Sequence, residues 1–203
     1  MTSIYLICNN DLSNNLKINY NDDIENKREK RILSVDGIEN SKTIADLKCL
    51  ENVEMILSSN YVSAMETSRY LANKLNLDIE VTKIFGERKV GTLNENMSLF
   101  REMQEHNFDY KLENGESLND CRYRLLKMIN KLKECGKDVA IFTHHVAIIS
   151  LLSLYCEKGF NLDNRLILNY NDNPIIDGTR TNFDVFKIDY ENGQVTNIER
   201  IEQ

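Results

Sequence analysis

Two apolar rhythms alternate along the chain. Short continuous apolar runs, which suit strands buried on both faces of a sheet, occur at Ile4-Tyr-Leu-Ile-Cys8, at residues 53–57 and at Val139-Ala-Ile-Phe142. Residues 78–83 read as a further strand. Between these runs the spacing becomes helical. Tyr61, Ala64, Met65, Ser68, Leu71, Ala72 and Leu75 fall on one amphipathic face. Leu118, Cys121, Leu125, Met128 and Leu132 form a second stripe, opened by a Ser117 cap and closed by Gly136. Asp36-Gly-Ile-Glu39 has capping-box spacing, with Asp36 as N-cap and Ile38, Ala45 and Leu47 turned inward. An apolar helix from about Val146 follows the 139–142 strand directly, and residues 183–190 and 194–198 alternate with period two around Glu-Asn-Gly, a hairpin pattern.

Strands that alternate with helices predict an α/β fold, a three-layer α/β/α sandwich with a mostly parallel central sheet. Ligand sites in such sheets lie beyond the carboxyl ends of the strands. That rule directs attention to residues 8–11, 58–63, 86–91 and 143–146. The length of 203 residues suits a single domain over 1–203. Residues 11–31, rich in Asn, Asp and Lys, read as a long solvated loop and a mobile surface insertion. Punctuation is sparse, with one proline and eight glycines beside an Asn content of roughly one residue in eight.

Composition removes several function classes. The 25 basic and 32 acidic side chains leave a net charge of −7, which argues against nucleic acid as a partner. The longest apolar run, residues 146–156, is about half a membrane span, so no membrane partner is expected. The start, MTSIYLICNND, has no basic region ahead of its short apolar stretch and does not read as a signal peptide. The five cysteines are scattered with no C-x-x-C pair, so a reduced, soluble, cytoplasmic protein is expected.

Several chemistries fail on spacing. A thiolate phosphatase needs Cys-x5-Arg, yet Asn14, Met55, Lys127, Ile141 and Leu162 stand six residues after the cysteines. Residues 86–92 span two glycines and a threonine but lack the lysine of a P-loop. His144 and His145 are adjacent and point to opposite faces of an extended segment, a poor metal pair. Neither a metal nor a cofactor is expected.

What remains is a set of six segments in order. Ile4-Tyr-Leu-Ile-Cys-Asn-Asn-Asp11 resembles I-Y-L-V-R-H-G-E, and Leu33-Ser-Val-Asp-Gly-Ile-Glu39 resembles L-S-x-x-G-x-x-Q. Ser58-Ser-Asn-Tyr-Val-Ser-Ala-Met-Glu-Thr67 resembles S-S-P-L-x-R-A-x-Q-T, and Phe85-Gly-Glu-Arg-Lys-Val-Gly91 resembles L-x-E-x-x-F-G. Asn114-Gly-Glu-Ser-Leu118 resembles G-G-E-S-L, and Phe142-Thr-His-His-Val146 resembles V-S-H-G-G. These are segments of the histidine phosphatase superfamily, and the resemblance implies its phosphoglycerate-mutase-like fold.

The resemblance also implies a catalytic set: a nucleophilic His, two Arg residues and a second His that clamp the phosphoryl oxygens, and a carboxylic acid that protonates the leaving group. In this chain the first Arg position holds Cys8, the nucleophile position Asn9, the next Gly position Asn10 and the second Arg position Ser63. Glu87 stands at the proton-donor position and His144 at the second-His position. An amide has no nitrogen lone pair to attack phosphorus, and neither a thiol nor a hydroxyl replaces a guanidinium fork. Without Arg88 or Lys89 turned inward, the pocket is expected to be neutral or acidic.

The expectation is a non-catalytic binding or regulatory protein, with His144 and Glu87 as relics. Cys8, Asn9, Asn10 and Ser63 would line a site for a small polar or phosphorylated ligand. The alternative is a phosphate-ester hydrolase in which His144 or Glu87 acts as general base without a phosphohistidine. A third is a structural homodimer subunit. His144 either faces the pocket or is a hydrogen-bonded strand-end residue. Glu87 either keeps a perturbed pKa or pairs with Arg88 or Lys89. His145 is read as a surface or packing residue, and Arg69 as part of a solvated face.

Overall fold

The computed structural model describes residues 1–8, 12–13, 23–93, 96–179 and 184–201. The central sheet is built from β1 (Thr2–Cys8), β2 (Met55–Ser59), β3 (Ile79–Thr82), β4 (Val139–Thr143), β8 (Val185–Glu191) and β9 (Gln194–Ile201). Its spatial order is β3-β2-β4-β1-β8-β9. The pairs β1–β4, β2–β4 and β2–β3 are parallel, and the β8–β9 hairpin adds antiparallel to β1. A second, antiparallel sheet comprises β5 (Glu157–Phe160), β6 (Leu166–Tyr170) and β7 (Asn173–Ile176).

The helices are α1 (Ile24–Glu29), α2 (Val35–Ala45), α3 (Val62–Leu75), α4 (Met97–His106), α5 (Leu118–Leu132) and α6 (His145–Leu152). Alternation along the strands separates two cores. On one face Tyr5, Ile7, Ile56, Ala140 and Phe142 meet Ile44 of α2 and Ala64 and Leu71 of α3. On the other, Ile4, Leu6, Leu57 and Ile141 meet Leu125 and Ile129 of α5, Ile148 and Leu152 of α6, and Leu168 of β6. This is the expected three-layer α/β/α sandwich with a mostly parallel sheet.

Local details depart from the sequence reading. The N-cap of α2 is Ser34, whose Oγ accepts the Gly37 N–H at 3.0 Å, and Asp36 instead lies in the first turn, where it complements the helix dipole. Ala45 is buried as expected, whereas Ile38 and Leu47 are half-buried and Gly37, Ser41 and Ile44 complete the inward face. In α5 the inward position is Ile129 rather than the half-buried Met128, because the stripe drifts with the 3.6-residue turn. Ser117 and Asp120 make its reciprocal capping box.

The second strand is shifted two residues toward the carboxyl end, and the third is shorter than expected because Lys83 already begins a 3-10 turn, Lys83–Phe85. Within the stretch read as one solvated loop, α1 forms, capped by Asp23. Residues 14–22 lie outside the described residues, as does Phe183 at the start of the expected hairpin. Neither α4 nor the second sheet was legible in the pattern, since α4 buries only Phe100 and Gln104, and β5 exposes Glu157, Lys158 and Phe160. The Asn content has a use: Asn76, Asn114, Asn164, Asn171 and Asn192 adopt positive φ at turns where a glycine would otherwise serve.

Candidate active site

The carboxyl ends of β1, β4 and β2 lie side by side, with Cys8 opposite Thr143 and Ser58 opposite Phe142. Beyond them, four sequence-predicted residues gather on this edge of the sheet. Cys8 closes β1, is 3% exposed, and donates its N–H to the Asp184 carbonyl at 3.0 Å. Ser63 lies in the first turn of α3, 1% exposed. His144 is the extended residue between β4 and α6, 4% exposed. Glu87 reaches the same edge from the segment after the Lys83–Phe85 turn, which Thr143 fixes by donating its Oγ1–H to the Phe85 carbonyl at 2.7 Å. Asn9 and Asn10 lie outside the described residues.

His144 is held on two sides. Its Nε2 lies 2.8 Å from Ser59 Oγ, which also accepts the Tyr61 N–H at 3.1 Å, and the Tyr61 ring packs on the imidazole with centroids 4.3 Å apart. Burial pushes the imidazole down to about 4, with the Glu87 carboxylate opposing only in part. The ring is therefore neutral at pH 7. Ser59 and Tyr61 were legible only as a strand end and as one residue of an amphipathic face. Their contact with His144 depends on how β2 and β4 pair.

Glu87 occupies a different kind of position. His144 gives α6 no side-chain cap, and the Glu87 carboxylate takes that place. Oε1 accepts the Ala147 N–H at 3.0 Å and the Arg88 N–H at 2.8 Å, while Oε2 accepts the Val146 N–H at 3.3 Å. Burial by itself raises this carboxyl. Its neighbours His144, Arg28 and Arg88, with the Arg88 N–H, outweigh burial and hold it below the ordinary carboxylate value. Its partners are thus backbone amides rather than the Arg88 or Lys89 side chains.

Arg28 was not legible as part of this region. From α1 its Nη1 donates to the Arg88 carbonyl at 3.0 Å and pairs with Glu25 at 3.3 Å. Glu25 Oε1 in turn accepts the Val90 N–H at 2.6 Å, so α1 is docked on the segment that carries Glu87. A cavity of about 250 Å³ beside Glu87 is walled by Glu25, Glu29, Glu87 and Glu116 against Lys83, Lys89 and Arg124. Four carboxylates face three cations there, and Lys89 is one of the three, while Cys8, Ser63 and His144 do not line this cavity. Arg88 does turn inward, but onto Phe100 of α4 rather than toward His144. Arg69 is exposed and stacks over Tyr70, and His145 is half-buried. Among the described residues no group of three or more His, Cys, Asp or Glu side chains is placed to hold a metal ion, and no helix is long and apolar enough to cross a membrane.

The mostly parallel sheet carries at its carboxyl edge a buried histidine and a carboxylate that caps α6. The histidine phosphatase superfamily (branch 1) matches residues 21–187, and the chain belongs to that superfamily. No curated protein sequence matches it. Among solved structures it is similar to a mycobacterial glucosyl-3-phosphoglycerate phosphatase, with a TM-score of 0.66, 12% identity, and coverage of 98% of this chain and 96% of that one. Bacillus stearothermophilus YhfR gives 0.65 and 19% identity, covering 97% and 95% of the two chains. A phosphoserine phosphatase mutant from Entamoeba histolytica, solved with phosphoserine, gives 0.61 and 15% over 98% and 96%. At these identities the likeness is one of fold.

Proposed function

We propose that this chain is a non-catalytic member of its superfamily, a binding or regulatory protein that keeps the fold and has lost phosphoryl transfer. The observation that carries this reading is the state of Glu87. A general acid must hold a proton and release it to a leaving group. Both Glu87 oxygens instead accept backbone N–H groups at the start of α6. A protonated carboxyl there would set its O–H against an N–H donor and give up the favourable interaction with the helix dipole. The neutral side chains of Cys8 and Ser63, where the resemblance expects guanidiniums, and the amide of Asn9, where it expects the nucleophile, support the same reading. The ligand would be small and polar or phosphorylated, bound by a soluble, cytoplasmic, single-domain protein that could pair with a second copy.

The second reading, hydrolysis by water with His144 as general base, needs an unprotonated imidazole, which burial supplies while also making it a weak base. Its Nε2 already faces Ser59 and its ring lies against Tyr61, which leaves little access.

An assay with p-nitrophenyl phosphate separates the two. The wild type is expected to show no turnover above buffer. Turnover that disappears in His144→Ala would sink the non-catalytic reading. Conversely, Cys8→Arg, Asn9→His and Ser63→Arg combined should restore vanadate uptake. A folded triple variant that binds none would show the positional assignments to be wrong.

A further inference from the structure

A pair of arginines, Arg101 and Arg165, lines a second cleft that includes His145 and Ile149 of α6. There α4 is stitched to the β5–β6 turn: Asn164 Nδ2 donates to Glu102 at 3.1 Å, Leu166 N–H donates to Glu105 at 3.2 Å, and His106 stacks on Phe160 with centroids 4.2 Å apart. Between α4, the start of α6 and the β6–β7 pair is a cleft of about 320 Å³, a volume suited to a small ligand. Its wall carries Arg101, Arg165 and His145 against one carboxylate, Glu105. Cys8, Ser63, Glu87 and His144 are not part of that wall.

Arg165 is placed on the rim by close backbone packing. Gly178, at φ +84, sits where a Cβ would come within 2.8 Å of Arg165 Cβ and 2.6 Å of Asn161 Nδ2. Asn161 Oδ1 also accepts the Arg165 N–H at 3.0 Å. Arg101, Glu105 and Ile149 line both this cleft and a small adjoining pocket of about 20 Å³, which Arg88 lines as well. Arg88 is 1% exposed, and among the described residues its Nε and Nη1 have no hydrogen-bond partner. Its guanidinium stacks over Phe100 at 4.6 Å, which offsets the burial of a charge only in part. A buried guanidinium ordinarily has its N–H groups paired. Here Arg88 lines the small pocket, which shares Arg101, Glu105 and Ile149 with the cleft.

We propose that this cleft is an anion-binding site for a small multivalent oxyanion, a phosphorylated or polycarboxylate metabolite. Arg101 and Arg165 contact the anion directly, and Arg88 contributes its charge from behind the partition formed by Arg101, Glu105 and Ile149. His145 of the wall follows His144 in the chain, so the cleft borders the region where the superfamily resemblance places phosphate, and anion binding in it does not depend on whether that position is catalytic.

The full chain is titrated with inorganic phosphate and, separately, with citrate. Binding is followed by calorimetry and by the 15N-edited resonances of backbone amides and arginine Nε–H groups. Saturable binding of either anion is expected, the tighter one identifying the ligand class. Shifts should centre on residues 98–105 and 165–179, and the Arg88 Nε–H signal should move with saturation. Arg101→Gln and Arg165→Gln should each weaken binding about tenfold, the scale of one charge-assisted hydrogen bond. Arg69→Gln, on the exposed face of α3, should leave it unchanged. Arg88→Lys should weaken it as well, and if that variant does not fold, the Arg88 signal in the wild type decides the point. Three results would each overturn the proposal: no saturable binding of either anion, equal weakening by Arg69→Gln, or shifts confined to Cys8, Ser63 and His144.

Discussion

Ser59 Oγ and His144 Nε2 meet at 2.8 Å beyond the last paired residues of β2 and β4. The contact ties two parallel strands together by side chains where their backbone ladder has ended. It also fixes the ring that the superfamily resemblance would place at the phosphoryl group, and it fixes that ring in a buried, neutral state.

A buried neutral histidine makes stability depend on pH. Its ordinary value is 6.5 and its folded value about 4, so between these limits the unfolded chain binds the proton and the folded chain does not. The stability this group allows is fully present above pH ~6.5 and is lost progressively as pH falls toward ~4, by up to about 3 kcal/mol. Urea unfolding across that window should show the decline, and His144→Asn should flatten it. An unchanged slope would assign the acid sensitivity to other groups.

Glu87 acts on stability through α6. Replacing it with Ala removes an anion that accepts three backbone N–H groups, and should cost about 1–2 kcal/mol, the range of a lost N-cap. Glu87→Gln keeps one acceptor oxygen and should cost less. Its carboxyl lies below the ordinary value of 4.5, so its contribution persists above that pH and fades only as pH falls through the lower folded value. Denaturant midpoints of the two variants at neutral pH provide the check. A stabilising effect of Glu87→Gln would mean the carboxylate is strained for function rather than acting as a cap.

Docking of α1 can be read from a single amide. Val90 is fully buried and its N–H is satisfied by Glu25 Oε1 at 2.6 Å. Glu25→Ala should leave that N–H without a partner, costing about 1–3 kcal/mol, and should speed its hydrogen exchange. Unchanged protection of Val90 would show that α1 does not hold this segment.

Gly91 and Gly136 both have positive φ and should respond differently to alanine. A Cβ on Gly91 would lie 2.4 Å from the Glu113 carbonyl and 2.5 Å from the Gly115 nitrogen, whereas one on Gly136 would meet nothing within 4 Å. Gly136→Ala should cost about 1 kcal/mol for its left-handed backbone alone, and Gly91→Ala about 3 kcal/mol or more because backbone must move. Thermal unfolding of the pair tests the difference.

Much of the sheet could be read in advance because a strand buried on both faces must be apolar throughout. Residues 4–8 and 139–142 therefore declared themselves, as did the two helices with long apolar stripes. The N-cap of α2 was misplaced because Ser34 and Asp36 both suit a cap, and local spacing does not choose between them. The small sheet was missed because β5 and β7 are short, with β5 largely exposed and β7 buried only at Ile175 and Ile176, and α4 because Leu99 and Met103 face outward and blur its stripe. Of the candidate site, residue types and chain order were visible, so Cys8, Ser63, Glu87 and His144 could be named. Their partners were not, because those contacts join residues far apart in sequence.

The sequence by itself determined which chemical groups are present: a thiol, a hydroxyl and an amide where the resemblance expects two guanidiniums and a nucleophilic imidazole. Those identities are fixed by covalent structure, and no folding can restore a missing charge or lone pair. Tertiary structure alone decided what the surviving groups do. Strand pairing brings Ser59 to His144, the start of α6 turns Glu87 into a helix cap, and α4 packs over Arg88, two of whose N–H groups are buried without partners among the described residues. Each is a matter of distance and dielectric between segments remote in the chain, and only the folded arrangement supplies those quantities.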